Sequence, residues 1–92
     1  MNIKMEDYKK LKNPITIDVR SEDKYKFGHI PNAINITMEE ILLRPTLYLN
    51  KSETYYIYCE KGIVSRIVCK ELSALEYKVI EIDGGYENFI LH

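Results

Sequence analysis

Tryptophan is absent from this 92-residue chain, and cysteine and histidine occur only twice each. Each shortage closes off a class of protein. Cys59 and Cys69 stand ten positions apart, too few for the disulfide framework of a small secreted scaffold. With only His29 and His92 beside them, soft ligands are too scarce for a structural zinc site, and no metal is expected. No apolar run approaches the roughly 20 residues of a membrane-spanning helix. The formal net charge is −1, and no more than two Lys or Arg stand side by side. The chain therefore has no electrostatic footprint for nucleic acid. Met1 to Lys12 is polar and charged, without the apolar stretch of a signal peptide, so a cytoplasmic location is expected.

What is present is the composition of an ordinary globular domain, 46% apolar and 29% charged. One domain over residues 1–92 is expected. Along it, helical and extended patterns alternate. Met5, Tyr8 and Leu11 recur at helical spacing, and Pro14 closes that segment. Ile15-Thr16-Ile17-Asp18-Val19 reads as a strand, and Ser21 then caps a brief helix that stops at Gly28. Ala33 to Ile36 is a second strand. Thr37, with Glu40 three residues on, forms a capping-box pattern for Met38 to Leu43, ended by Pro45. Thr54 to Tyr58 is β-branched and aromatic, the mark of a buried strand. Val64, Ile67, Val68, Leu72 and Leu75 form a helical stripe running to about Glu76, with Cys69 at its margin. Val79 to Ile82 is the last strand, Asp83-Gly84-Gly85 turns, and Tyr86 to Leu91 closes as a helix. Strands joined by helices imply an α/β fold, mostly parallel, with helices on both faces.

Cys59 occupies the junction between the Tyr-rich strand and the longest helical pattern. Backbone N–H groups at a helix start carry partial positive charge, which favours thiolate over thiol. Placement alone leaves two readings open: a nucleophile, or a buried cysteine closing a strand. In parallel sheets, ligands gather beyond the carboxyl ends of the strands. Three such ends carry distinctive residues here: Asp18 and Arg20, then Cys59, then Asp83-Gly84-Gly85. An ion pair or hydrogen bonds among Asp18, Arg20 and the cysteine loop would brace that loop.

Four stretches together resemble the rhodanese-like family: Ile17-Asp18-Val19-Arg20, Gly28-His29-Ile30-Pro31-Asn32-Ala33, Tyr58-Cys59-Glu60-Lys61-Gly62-Ile63-Val64, and Asp83-Gly84-Gly85-Tyr86-Glu87-Asn88-Phe89. They stand in the family's order and near its spacing. The resemblance implies a five-stranded, mostly parallel sheet flanked by helices, and a sulfurtransferase in which Cys59 passes through a persulfide. It implies no organic cofactor. Its partners would be a small sulfane-sulfur donor, such as thiosulfate or a persulfide, and a thiol or cyanide acceptor, or else a partner protein. The loop Glu60, Lys61, Gly62, Ile63, Val64 and Ser65 would then cradle the sulfur with backbone N–H groups. His29 is expected to hydrogen-bond backbone and fix its turn, and Asn32, where the family usually has glycine, to take left-handed backbone. Cys69 is expected to be packing.

Two departures bear on chemistry. Related folds that act on phosphate or arsenate place arginine six positions after the cysteine, so that its guanidinium grips the oxyanion. Here that position is Ser65, and Arg66 is one residue on, about 100° around a helix. Phosphatase or arsenate reductase is therefore the lesser alternative, beside a non-catalytic interaction module. Glu60 stands where thiosulfate-using relatives often carry a basic residue. With Lys61 cancelling it, the mouth would offer little positive field to a dianion.

Overall fold

The computed structural model describes residues 1–91, and His92 lies outside them. The chain runs β1 (Asn2–Ile3), α1 (Met5–Tyr8), β2 (Ile15–Asp18), α2 (Glu22–Phe27), β3 (Ile34–Asn35), α3 (Met38–Leu43), α4 (Pro45–Tyr48), β4 (Thr54–Tyr58), α5 (Ile63–Ala74), β5 (Lys78–Ile82) and α6 (Gly85–Leu91). The strands form one five-stranded sheet in the order β1-β5-β4-β2-β3, and every pairing is parallel. This is the α/β architecture expected from the sequence.

The period-two alternation of the strands sorts side chains onto two cores. On one face Ile17, Ile57 and Val79 pack with Ile41 of α3 and Val68 and Leu72 of α5. On the other, Tyr58 and Ile82 pack with Met5 and Tyr8 of α1, with Tyr25, Tyr86 and Phe89 against them. Tyr55 and Ile57 thus face α5, while Tyr56 and Tyr58 face the opposite layer. Truncating fully buried Leu72 to Ala would cost about 2–5 kcal/mol by the usual cavity cost.

Ser21 and Thr37 cap as expected, their hydroxyls accepting from Lys24 N and Glu40 N at 3.4 Å each. The reciprocal half of the capping box is missing, because Glu40 Oε1 instead takes the Arg44 guanidinium at 2.9 Å. Pro45 does not merely stop α3; it opens α4, where its fixed φ suits a first helical turn. Two further elements or limits escape the hydrophobic pattern. β1 is only two residues long, and α1 ends at Tyr8, leaving Leu11 36% exposed. The stripe on α5 is rotated from its expected position. Ile67 and Leu75 are half-exposed, and the buried face is Ser65, Val68, Cys69 and Leu72. No helix among the described residues is long and apolar enough to cross a membrane.

Candidate active site

The carboxyl ends of β2 and β4 and the β5–α6 turn meet on one rim, where the chain between Tyr58 and Ile63 wraps around a sulfur. Cys59 leaves β4 with 4% of its surface exposed. Its Sγ accepts hydrogen bonds from Gly62 N at 3.1 Å and Ser65 N at 3.3 Å, and lies 3.4 Å from Ser65 Oγ. Gly62 caps α5 with φ +95°, a left-handed conformation that turns its N–H inward. Of the loop amides, those of Gly62 and Ser65 reach the sulfur. The Lys61 and Ile63 side chains are exposed, whereas Val64 packs against the α5-face core.

The loop's outward carbonyls are closed by α6. Tyr86 N donates to Cys59 O at 2.8 Å, and Glu87 N donates to Glu60 O at 3.0 Å. Such close approach demands glycine at the start of α6. Gly85 has φ +63°, and a Cβ there would collide with the Cys59 carbonyl oxygen.

Asp18 and Arg20 form the flank of the loop. Fully buried Asp18 accepts from Arg20 N at 2.8 Å, from Arg20 Nη2 at 2.7 Å and from the Tyr58 hydroxyl at 2.7 Å. Arg20 Nη2 also donates to Gly28 O at 2.6 Å, and Nη1 reaches Glu60 Oε1 at 3.0 Å. The guanidinium lies 4.4 Å from the Tyr86 ring centroid. Burial opposes its charge, but hydrogen bonds and proximity to Asp18 and Glu60 outweigh burial and raise its pKa above the ordinary arginine value. Burial, then the hydrogen bond to Asp18, pushes the Tyr58 phenol up as well. One bridge, Arg20, thereby links β2, α2, the cysteine loop and α6. Glu60 is paired with Arg20, not with Lys61 as its sequence neighbour suggested.

A cavity of about 530 Å³ opens over Cys59. Val19, Met38 and Val64 supply its apolar wall, and Arg20, Lys24 and Glu60 stand at its rim. Arg66 is elsewhere. It is exposed and lines a different cavity with Cys69 and Glu81. His29 is occupied locally: its Nδ1 donates to Tyr25 O at 2.7 Å, and its ring stacks on Tyr25 at 3.7 Å. Asn32 takes left-handed backbone at φ +69°. Cys69 is buried in the α5 core, and burial, reinforced by the Glu81 charge, pushes its thiol up to about 12.

Two participants in this geometry were not picked out from the sequence. Tyr58 orients Asp18 and also accepts Ile30 N at 3.0 Å. Glu81 is 8% exposed on the α5 face of β5, where Ser65 Oγ donates to its Oε2 at 3.2 Å. Its signal was available: alternation places position 81 on the same side as core Val79, where an apolar residue belongs.

Residues 4–92 match a family model described as "Rhodanese-like domain". A protein of Ogataea parapolymorpha named "Adenylyltransferase and sulfurtransferase uba4" is 32% identical over 73 residues, which cover 78% of this chain but 19% of that protein. "Thiosulfate sulfurtransferase PspE" of Escherichia coli is 33% identical over 76 residues, 82% of this chain and 73% of its own. The crystal structure of a rhodanese-related protein from Thermoplasma volcanium superposes with a TM-score of 0.89 at 28% identity, covering 98% of this chain and 90% of that one.

Proposed function

This chain belongs to the rhodanese-like family, and from that premise we propose that it moves a sulfane sulfur from a donor to an acceptor through a persulfide on Cys59. The observation that supports this most is the setting of the sulfur: two backbone N–H groups donate to Cys59 Sγ at the start of a 12-residue helix, beneath an open cavity. Fixed donors at a helix start favour an anion and need no reorganisation when charge develops.

The Cys59 thiolate attacks the outer sulfur of thiosulfate or of a small persulfide. The donor's sulfur–sulfur bond breaks, its electron pair leaves with sulfite or a thiolate, and a new sulfur–sulfur bond forms on Cys59. A thiol or cyanide acceptor then attacks the terminal sulfur and restores the thiolate. Covalent transfer in two halves gives ping-pong kinetics. Gly62 and Ser65 hold the sulfur through both halves, while Asp18 and Arg20 keep the loop in shape through Glu60.

Mass spectrometry after incubation with thiosulfate, and separately with a small organic persulfide, tests this directly. The protein should gain one sulfur atom, located on Cys59 by peptide mapping. Cys59→Ser should lose both the adduct and turnover, and Cys69→Ser should retain most of each. Failure of both donors to modify Cys59 would leave the non-catalytic interaction module as the better reading. Equal loss in the two single variants would indicate a cysteine pair.

A further inference from the structure

A carboxylate buried against an apolar face needs a reason to be there. Glu81 lies among core residues of β5 and α5, takes part in no ion pair among the described residues, and receives one side-chain hydrogen bond, from Ser65. Burying such a charge without a cation is costly. Ser65 connects it to the nucleophile. A serine hydroxyl has one hydrogen and two lone pairs. While that hydrogen is given to Glu81, Ser65 can offer Cys59 only lone pairs, and so accepts from the thiol at 3.4 Å. Carboxylate and thiolate are therefore incompatible with the same hydrogen-bond arrangement.

We propose that Glu81 is the proton acceptor for Cys59, reached through Ser65. As the thiol ionises, its proton moves to Ser65 Oγ while the proton already on Ser65 moves to Glu81 Oε2. The sulfur–hydrogen bond breaks with its electron pair left on sulfur, one O–H bond forms on Glu81, and Ser65 ends as it began. The net change carries one negative charge from Glu81 to Cys59. Both hydrogen bonds reverse: the Glu81 acid donates to Ser65, and Ser65 donates to the sulfur. At Glu81 the charge has a single side-chain donor. At Cys59 it has three, Gly62 N, Ser65 N and the turned Ser65 hydroxyl, together with the helix start. Fixed backbone donors and the helix start thus receive the relocated charge at the sulfur. This deepens the reading of Cys59 as a nucleophile, since it supplies the thiolate that reading requires.

Other charges near the pair are Arg66 and Lys70 of α5 and the Met1 amino terminus, which share a cavity with Glu81, and Asp83 on the following turn. Cys69 of α5 feels the Glu81 charge, and Glu60 and Arg20 flank Cys59. Met1 O accepts from Glu81 N at 3.0 Å, but among the described residues none of these groups is hydrogen-bonded to the side chain of Glu81 or Cys59.

The test follows two signals through one pH titration of Cys69→Ala protein, in which Cys59 is the only thiol. One is the rate of Cys59 alkylation by iodoacetamide. The other is the infrared carbonyl band of a protonated carboxyl, assigned to Glu81 by its loss in Glu81→Gln. The relay requires that alkylation rise while the Glu81 acid band persists. It also requires that Ser65→Ala lose that band at neutral pH and alkylate at least about tenfold more slowly there, the scale of one charge-assisted hydrogen bond. The proposal is overturned if the acid band disappears before alkylation rises, if the band survives Glu81→Gln, or if Ser65→Ala changes neither signal. No sulfur donor is involved, so the result stands whether or not Cys59 takes up sulfur from thiosulfate.

Discussion

At the scale of single residues, the site is organised by what each polar group is allowed to donate or accept. Arg20 distributes its donors between Asp18, Glu60 and the Gly28 carbonyl, and this commitment fixes the sign of the field at the mouth. Asp18 already pairs with Arg20, so Glu60 leaves the trio with one negative charge in excess, which opposes the approach of a dianion such as thiosulfate. Glu60→Gln keeps an oxygen for Arg20 Nη1 but removes the charge. It should raise the second-order rate with thiosulfate by up to about fivefold at low salt, the range of one exposed or partly exposed charge contact. The gain should fade as ionic strength rises, and a small persulfide, which carries at most one negative charge, should respond less than the dianion. Equal acceleration of both donors, or none, would place donor choice elsewhere on the rim. The sequence made Cys59, Asp18 and Arg20 visible because they sit at strand ends. It hid Glu81 and Tyr58, whose importance comes from partners 16 and 40 positions away.

Among elements, α5 and α6 divide the labour on the cysteine loop. α5 presents N–H groups to the sulfur from inside, and the first turn of α6 takes up the loop's carbonyls from outside. A substitution at their junction should be felt at the thiol. Gly85→Ala must adopt left-handed backbone and displace the Cys59 carbonyl, for a loss of at least about 2 kcal/mol in urea unfolding and slower Cys59 alkylation. Ser21→Ala removes only a helix cap, about 1 kcal/mol, and should leave alkylation unchanged. Similar effects on alkylation would mean that the loop reports global stability and not the α6 contact. The elements themselves were largely legible, because periodicity and caps are local. Their phase was less so: Ile67 and Leu75 continue the apolar pattern of α5 yet stay half-exposed, since the helix is rotated to bring Ser65 and Cys69 inward. β1 carries too few residues to show any period.

For the molecule as a whole, buried protonated groups set an alkaline limit. Burial, aided by the charge of Glu81, moves the Cys69 thiol from an ordinary 9.0 to about 12. The native state then retains a proton that the unfolded chain gives up. This contribution is complete below about pH 9 and diminishes as pH climbs towards 12, by at most about 1.4 kcal/mol per pH unit. Cys69→Ala removes it, so the variant's stability should fall less steeply than the parent's between about pH 9 and pH 11, read from urea midpoints. Parallel slopes would show that the thiol ionises alike in both states. The strand order has a further consequence, in time. Asn2 and Ile3 pair with Glu81 and Ile82, so the first strand of this domain to be synthesised has no partner until its last strand is made. The Tyr86 and Glu87 amides that close the cysteine loop arrive later still. A nascent chain stalled before Gly84 therefore has the Asp18, Arg20 and Glu60 brace but lacks the outer clasp on the cysteine loop, which closes only when synthesis of the domain is nearly finished.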